Sequence, residues 1–228
     1  MHQRPTVGLV IALATACAAA PVSAAIVFGP SPYLSATDLP AGFFAGAPSL
    51  LEDLEDNSLH PSLSASAGSI IGAAQFGSLV DSVDADDGVI DGLGQNGRSW
   101  FSGNGAGGVT FTYVGAGPLP TAFGIVWTDG GGSVTFEALD GSNIVVASGI
   151  FGGFADGSSS GTTGEDRFIG VTHEEGIKAI RVSNSAGGIE LDHIQYGTMM
   201  APVPEPGTWM LVSLGLGCVG VAQRRRRR

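Results

Sequence analysis

Five aspartates crowd the stretch from Val80 to Gly92: Asp81, Asp84, Asp86, Asp87 and Asp91. A hard cation such as calcium takes about six to eight oxygen ligands, and closely spaced carboxylates among flexible glycines supply them. The EF-hand pattern fails here. Gly88 does not follow alternating ligands at that motif's offset, and no Glu closes the loop. Two readings stay open. One is a calcium loop of another kind, with Asp84, Asp86, Asp87 and Asp91 as candidate ligands. The other is an acidic surface turn.

Other chemistry is sparse. Trp100, in Arg98-Ser99-Trp100-Phe101-Ser102, is the aromatic best placed to offer a ring face to a sugar, although core packing competes as a reading. Trp127 lies in an apolar run and reads as core. The four histidines, His2, His60, His173 and His193, form no pair at close metal-ligand spacing. No serine sits in Gly-x-Ser-x-Gly. With 21 acids in the chain, carboxylate pairs arise by chance, so they do not argue for glycoside hydrolysis. The string Gly103-Asn104-Gly105-Ala106-Gly107-Gly108 matches a dinucleotide fingerprint, but an alternating strand follows it. Phosphate binding there needs a helix N-terminus, so the string reads as a hairpin loop.

The elements that must position these residues are strands. Val109, Phe111 and Tyr113 alternate with threonines, and Val134, Phe136 and Ala138 alternate with polar residues. Ile180 and Val182 repeat the pattern. Period-two alternation gives one buried and one wet face. Gly supplies 37 residues, and turn signals stand at Asp129 to Gly132, at Asp140-Gly141 and over 155–164. This pattern predicts an all-β domain over 68–198: a two-sheet antiparallel sandwich, of jelly-roll type. The segment 25–67 reads as an approach, with a short helical turn around 49–56. In the last strand the apolar set changes phase between Leu191 and Ile194. A β-bulge at Asp192-His193 reconciles both halves with one core and re-aims polar side chains, which makes His193 a candidate ligand contact. A strand buried on both faces explains the pattern equally well.

Charge narrows the partners. Removing Arg4, the five terminal arginines and Glu205 turns the chain's −11 into −16 over 25–203. Such a surface repels phosphate backbones, so nucleic acid is excluded as a partner. Cys17 and Cys218 both lie in the apolar ends, leaving the middle without a disulfide.

The two ends describe a route. Arg4, the apolar run from Val7 to Ala20, and Val22-Ser23-Ala24 form a signal peptide over 1–24, cut by signal peptidase between Ala24 and Ala25. At the other end, a linker over 199–206 carries Pro204, Glu205 and Pro206. The apolar run 207–223 follows, about 25 Å long as a helix and near the lower limit for a transmembrane span. Arg224 to Arg228 should stay cytoplasmic. This tripartite tail resembles the PEP-CTERM sorting signal. The resemblance implies tail removal by an exosortase, passage through the inner membrane, and delivery to the cell surface or an exopolysaccharide matrix.

The closing stretch is also similar to lectin-like jelly rolls, through Phe168-Ile169-Gly170-Val171, Ile177 to Ser183 and Ile189 to Gly197. That resemblance implies a structural calcium held by Glu190 or Asp192. The expectation is therefore a non-catalytic, exported protein that binds extracellular polysaccharide with calcium support. The alternatives are a matrix component without a discrete ligand, or a polysaccharide-acting enzyme.

Overall fold

The computed structural model describes residues 24–200. The signal segment before Ala24, the motif Pro204-Glu205-Pro206, the apolar run 207–223 and the arginine tail lie outside those residues.

Ten strands form: β1 (Ile26–Pro32), β2 (Leu50–Glu52), β3 (Leu63–Ala65), β4 (Ser69–Gly72), β5 (Arg98–Ser102), β6 (Val109–Tyr113), β7 (Ala122–Leu139), β8 (Val145–Phe151), β9 (Arg167–Thr172) and β10 (Ala179–Gly197). Helix is confined to a few single turns. The described residues are all-β, and each of their strand pairings is antiparallel.

Strands β7 and β10 run side by side for most of their length. On its free edge, β10 is met end to end by β6, β5 and β2. Strands β3 and β4 extend this layer by pairing with β6 and β5. The far edge of β7 carries β9 along its first half and β8 along its second, and β1 pairs outside β9.

The sequence predicts a two-sheet sandwich; all ten strands instead share one hydrogen-bonded network. The reason lies at Asp129 to Gly132, which reads as a turn but continues as strand. Gly130 and Gly132 take φ of +156° and +79°, which lets β7 bend without ending. Opposite them, the buried Asn184 amide donates to the carbonyls of Gly131, Ala186 and Gly188, stitching both strands through the bend. The Gly103–Gly108 loop also departs from expectation. It joins β5 to β6, which both pair with β10 and not with each other, so it is no hairpin. The segment 25–67 contributes strands β1, β2 and β3 to the network. Leu50–Glu52 forms β2 where a helical turn is expected, because the edge of β10 at Ile194 to Tyr196 offers it a partner.

Alternation sets the two cores. Val109, Phe111, Phe123, Ile125, Trp127, Val134, Phe136, Ile180 and Leu191 pack into the main cluster. Val126, one residue out of phase with Ile125 and Trp127, joins Tyr33, Phe43 and Phe168 in a smaller cluster on the opposite face.

The bulge in the last strand is present. Asp192 pairs with Val126 and Gln195 with Gly124, so His193 and Ile194 together face Ile125. His193 takes φ of +42° there. The bulge keeps Ile189, Leu191, Ile194 and Tyr196 on the main core. Glu190, Asp192, His193 and Gln195 fall on the other face, and they too are buried. Both open readings of this strand therefore hold together.

Replacing Asn184 with Ala leaves carbonyls at the bend without donors. The expected loss is about 2 kcal/mol, or roughly 4–8 °C in Tm for a domain of this size, measured by calorimetry.

Candidate functional site

The polar face of β10 is covered by residues 80–97 and by Tyr33. The docking is specific. Asp81 N–H donates to Glu190 Oε1 at 2.8 Å, and Val83 N–H donates to Asp192 Oδ2 at 2.9 Å. Two carboxylates spaced by two on a strand thus stand in for the carbonyls of a neighbouring strand. The Ser99 hydroxyl also donates to Glu190, and His193 N–H donates to Asp192 Oδ1 at 2.7 Å.

Asp81 lies beside Glu190, and Asp166 beside Asp81, in a run of buried acids without nitrogen ligands. Asp81 and Asp166 are 1% and 0% exposed, yet Asp81 Oδ1 and both oxygens of Asp166 lack a hydrogen-bond partner. Burial, reinforced by Glu190 and Asp129, pushes the Asp81 carboxyl up to about 9. Burial and the charge of Asp81 push Asp166 well above the usual carboxylate range. Burial raises Glu190 and Glu165 to about 7 each. Of the four Lys and Arg residues among those described, Arg167 alone acts on one of these acids by its charge, as the smallest influence on Asp166, and none forms an ion pair with them. Arg181 pairs with Glu137; Arg98 donates to Asn57, Lys178 to the Tyr113 carbonyl, and Arg167 to the Gly164 and Asp166 carbonyls. Uncompensated buried carboxylates either keep protons or hold a cation. An all-oxygen set suits a hard cation such as calcium.

A second group lies farther along β10. Asp86 Oδ1 is 2.8 Å from His193 Nε2, and ligand atoms of Asp86, Asp192 and His193 all fall within 4.8 Å of one another.

Beside the first group a cleft opens. One part, of about 280 Å³, is lined by Phe101, Asp129, Gly157, Ser158 and Glu190. An adjoining part of about 260 Å³ shares Phe101, Asp129 and Glu190 and adds Ile71, Phe76 and Leu79. Its floor follows from register. Asp129 on β7, Glu190 on β10 and Phe101 on β5 are direct cross-strand neighbours, so they form one row on one face.

The sequence candidates separate in space. Asp84 is buried and fully engaged, accepting from the N–H groups of Asp91 and Gly92 and from the Thr163 hydroxyl; it clamps turns. Asp87 and Asp91 are exposed and cap the N–H groups of Val89 and Leu93. These three do not form one calcium loop with Asp86. The surface-turn reading holds for Asp87 and Asp91, because a side chain capping a residue two along points back into its own turn. Trp100 is 8% exposed, packs edge-on against Phe111, and donates from Nε1 to the Ala67 carbonyl. It is a core residue and offers no ring face; its neighbour Phe101 does. Asp86, Asp192, His193 and Glu190 remain as site residues. Sequence reasoning left out Asp166, Asp129, Tyr33 and Gln195. Asp166 follows Glu165 between a Gly-rich loop and an apolar strand, and nothing local marks it as buried.

Carboxyls raised in the folded state bind protons that the unfolded chain has released above roughly pH 4. Folding then takes up protons, so stability falls as pH rises. In chelator, the Tm should be highest near pH 4–5 and decline through about 7, where Glu190 and Glu165 titrate, to about 9, where Asp81 does. Asp81→Asn should flatten the upper part of that decline in a series of thermal melts.

A family model for the PEP-CTERM protein-sorting motif matches residues 202–228. Nothing among the curated proteins matches the chain. The match spans Pro204-Glu205-Pro206, the apolar run and the arginines, the same parts that carry the resemblance in the sequence. Such a signal implies export and processing by an exosortase. The chain therefore carries a PEP-CTERM sorting signal, which marks it as an exosortase-processed, exported surface protein.

Proposed function

We propose that the exported domain is a non-catalytic binder of neutral extracellular polysaccharide, supported by calcium. The row Asp129–Glu190–Phe101 in the cleft carries this reading. Phe101, with Phe76 and Leu79 beside it, gives an apolar wall for the C–H face of a sugar ring. Asp129, Glu190 and Ser158 give acceptors and a donor for hydroxyls. The proposed calcium is drawn to the buried carboxyls of Asp81 and Asp166, whose oxygens lack partners, beside Glu190. An ion there offsets the burial that favours the protonated forms of Asp81 and Glu190, and fixes the floor of the cleft.

Calcium should raise the Tm of the wild-type protein, and Asp166→Asn should abolish that rise. Phe101→Ala should weaken retention on matrix polysaccharide by ~10-fold or more, from a lost apolar contact of about 1.5–3 kcal/mol. Unchanged retention would remove the cleft from the reading and favour a matrix component without a discrete ligand.

One observation favours a second reading. Asp129 and Glu190 face each other across adjacent strands as a carboxyl pair, and burial raises Glu190 to about 7, as the general acid of glycoside hydrolysis requires. Release of new reducing ends from polysaccharide, lost in Glu190→Gln, would establish that activity in place of simple binding.

The tail is proposed to hold the precursor in the inner membrane through 207–223, with Arg224 to Arg228 cytoplasmic, until exosortase cleavage. Replacing Pro204, Glu205 and Pro206 with alanines should keep the protein in the membrane fraction at its uncleaved mass, read by blotting and mass spectrometry.

A further inference from the structure

Asp86 converges from a distant part of the chain on the adjacent pair Asp192 and His193. Asp192 is fully buried, and the side chain of Asp86 is 7% exposed. Asp86 Oδ1 lies 2.8 Å from His193 Nε2, while Asp86 Oδ2 is buried with no partner. The Asp192 carboxylate already accepts from two backbone N–H groups, which fix its plane toward Asp86. The bulge turns the imidazole into this corner.

The other side of the ring has an orienting partner. Tyr33 Oη is 2.9 Å from His193 Nδ1, and the Gln195 amide reaches Tyr33 Oη at 3.5 Å. Gln195 is 0% exposed, and its Oε1 has no partner. His193 Nε2 points at Asp86 Oδ1 across 2.8 Å, a gap that a proton or a metal ion must bridge. With an ion on Nε2 the ring's proton sits on Nδ1, where Tyr33 Oη accepts it. Ligating histidines are commonly oriented by such a bond on their other nitrogen.

We propose that Asp86, Asp192 and His193 form a binding site for a zinc-class divalent ion, distinct from the oxygen-only calcium group. One imidazole nitrogen with two carboxylates, leaving room for water as a fourth ligand, is a zinc-type donor set. Zinc–ligand bonds of about 2.0–2.1 Å place tetrahedral ligands about 3.3 Å apart. The present 2.8 Å between Oδ1 and Nε2 needs only a small spreading to admit the ion. Burial by Val83, Tyr33 and the bulge shields the site from bulk water. The rival arrangement is a neutral core in which Asp86 and Asp192 share a proton.

The full-length protein, purified without chelator and then stripped, is titrated with Zn2+ by calorimetry and with Co2+ by absorption spectroscopy. Stoichiometric zinc binding is expected, with cobalt ligand-field bands that zinc displaces and excess calcium does not. Asp86→Asn and His193→Asn should abolish both signals; Asn tolerates the positive φ at 193. Tyr33→Phe, which leaves the ligands in place, should weaken zinc binding ~10-fold or more. Asp166→Asn should leave zinc binding intact while removing the calcium response, which separates this site from the calcium reading. Absence of cobalt bands in the folded wild type, or zinc binding unchanged in both Asp86→Asn and His193→Asn, would overturn the proposal in favour of the proton-sharing core.

Discussion

The reach of two carboxylates from the last strand to two backbone N–H groups organises this molecule. Glu190 and Asp192 accept from Asp81 and Val83. Without those acceptors, the N–H groups of a buried loop would be orphaned, at a cost of about 1–3 kcal/mol each. With them, residues 80–97 lie down across the polar face of β10. That placement buries Asp81, Asp84 and Asp86, and it seals His193 under Tyr33. The cleft beside Phe101, the oxygen-only group and the Asp86–His193 corner all depend on it. Strand periodicity sets the arrangement, since residues 190 and 192 share a face and so do the N–H groups of 81 and 83.

This way of closing a sheet face has an electrostatic consequence. A charge moved out of water costs several kcal/mol even after relaxation, and whole domains are stable by only about 5–15 kcal/mol. Asp81, Asp166, Glu190 and Asp192 cannot all be ionised, buried and unpaired. Among the described residues the cations are engaged elsewhere: Arg181 on Glu137, Lys178 on the Tyr113 carbonyl, Arg98 on Asn57 and Arg167 on the turn at Gly164. Protons can answer the charge at low pH, and cations can answer it at neutral pH. The raised carboxyls and the unpartnered oxygens are two signs of one deficit.

Much of this was legible in the residues, and the failures have physical causes. Alternation at 109–113 and 134–138 gave strands and their buried faces, since the period of two is a local property. The phase change between Leu191 and Ile194 gave the bulge. Asp129-Gly130-Gly131-Gly132 misled because glycines that usually end a strand here let one bend, and the deciding partner, Asn184, is distant in sequence. Five aspartates in one run looked like one loop. They divide because a 3-10 turn at Asp84–Asp87 sends successive side chains in different directions. Asp84 and Asp86 point inward, and Asp87 points to water. Asp166 was invisible for the opposite reason: its burial comes from tertiary packing, and its neighbours in sequence carry no trace of it.

The sorting tail and the acidic interior fit one account. The described domain holds no cysteine, so the usual covalent brace of an exported domain is missing. Its net negative charge repels anionic surfaces. Calcium sites of extracellular modules are typically weak, about 10⁻⁴–10⁻³ M, and fill only where the ion is abundant. A domain whose interior lacks positive charge is then least settled before export, when an open chain suits passage through the membrane. With the proposed calcium bound it is most settled outside, where that ion is abundant. Binding to the folded state alone stabilises by mass action. In that account the cation does for this fold what a disulfide does for others, and the place of delivery becomes part of what makes the fold stable.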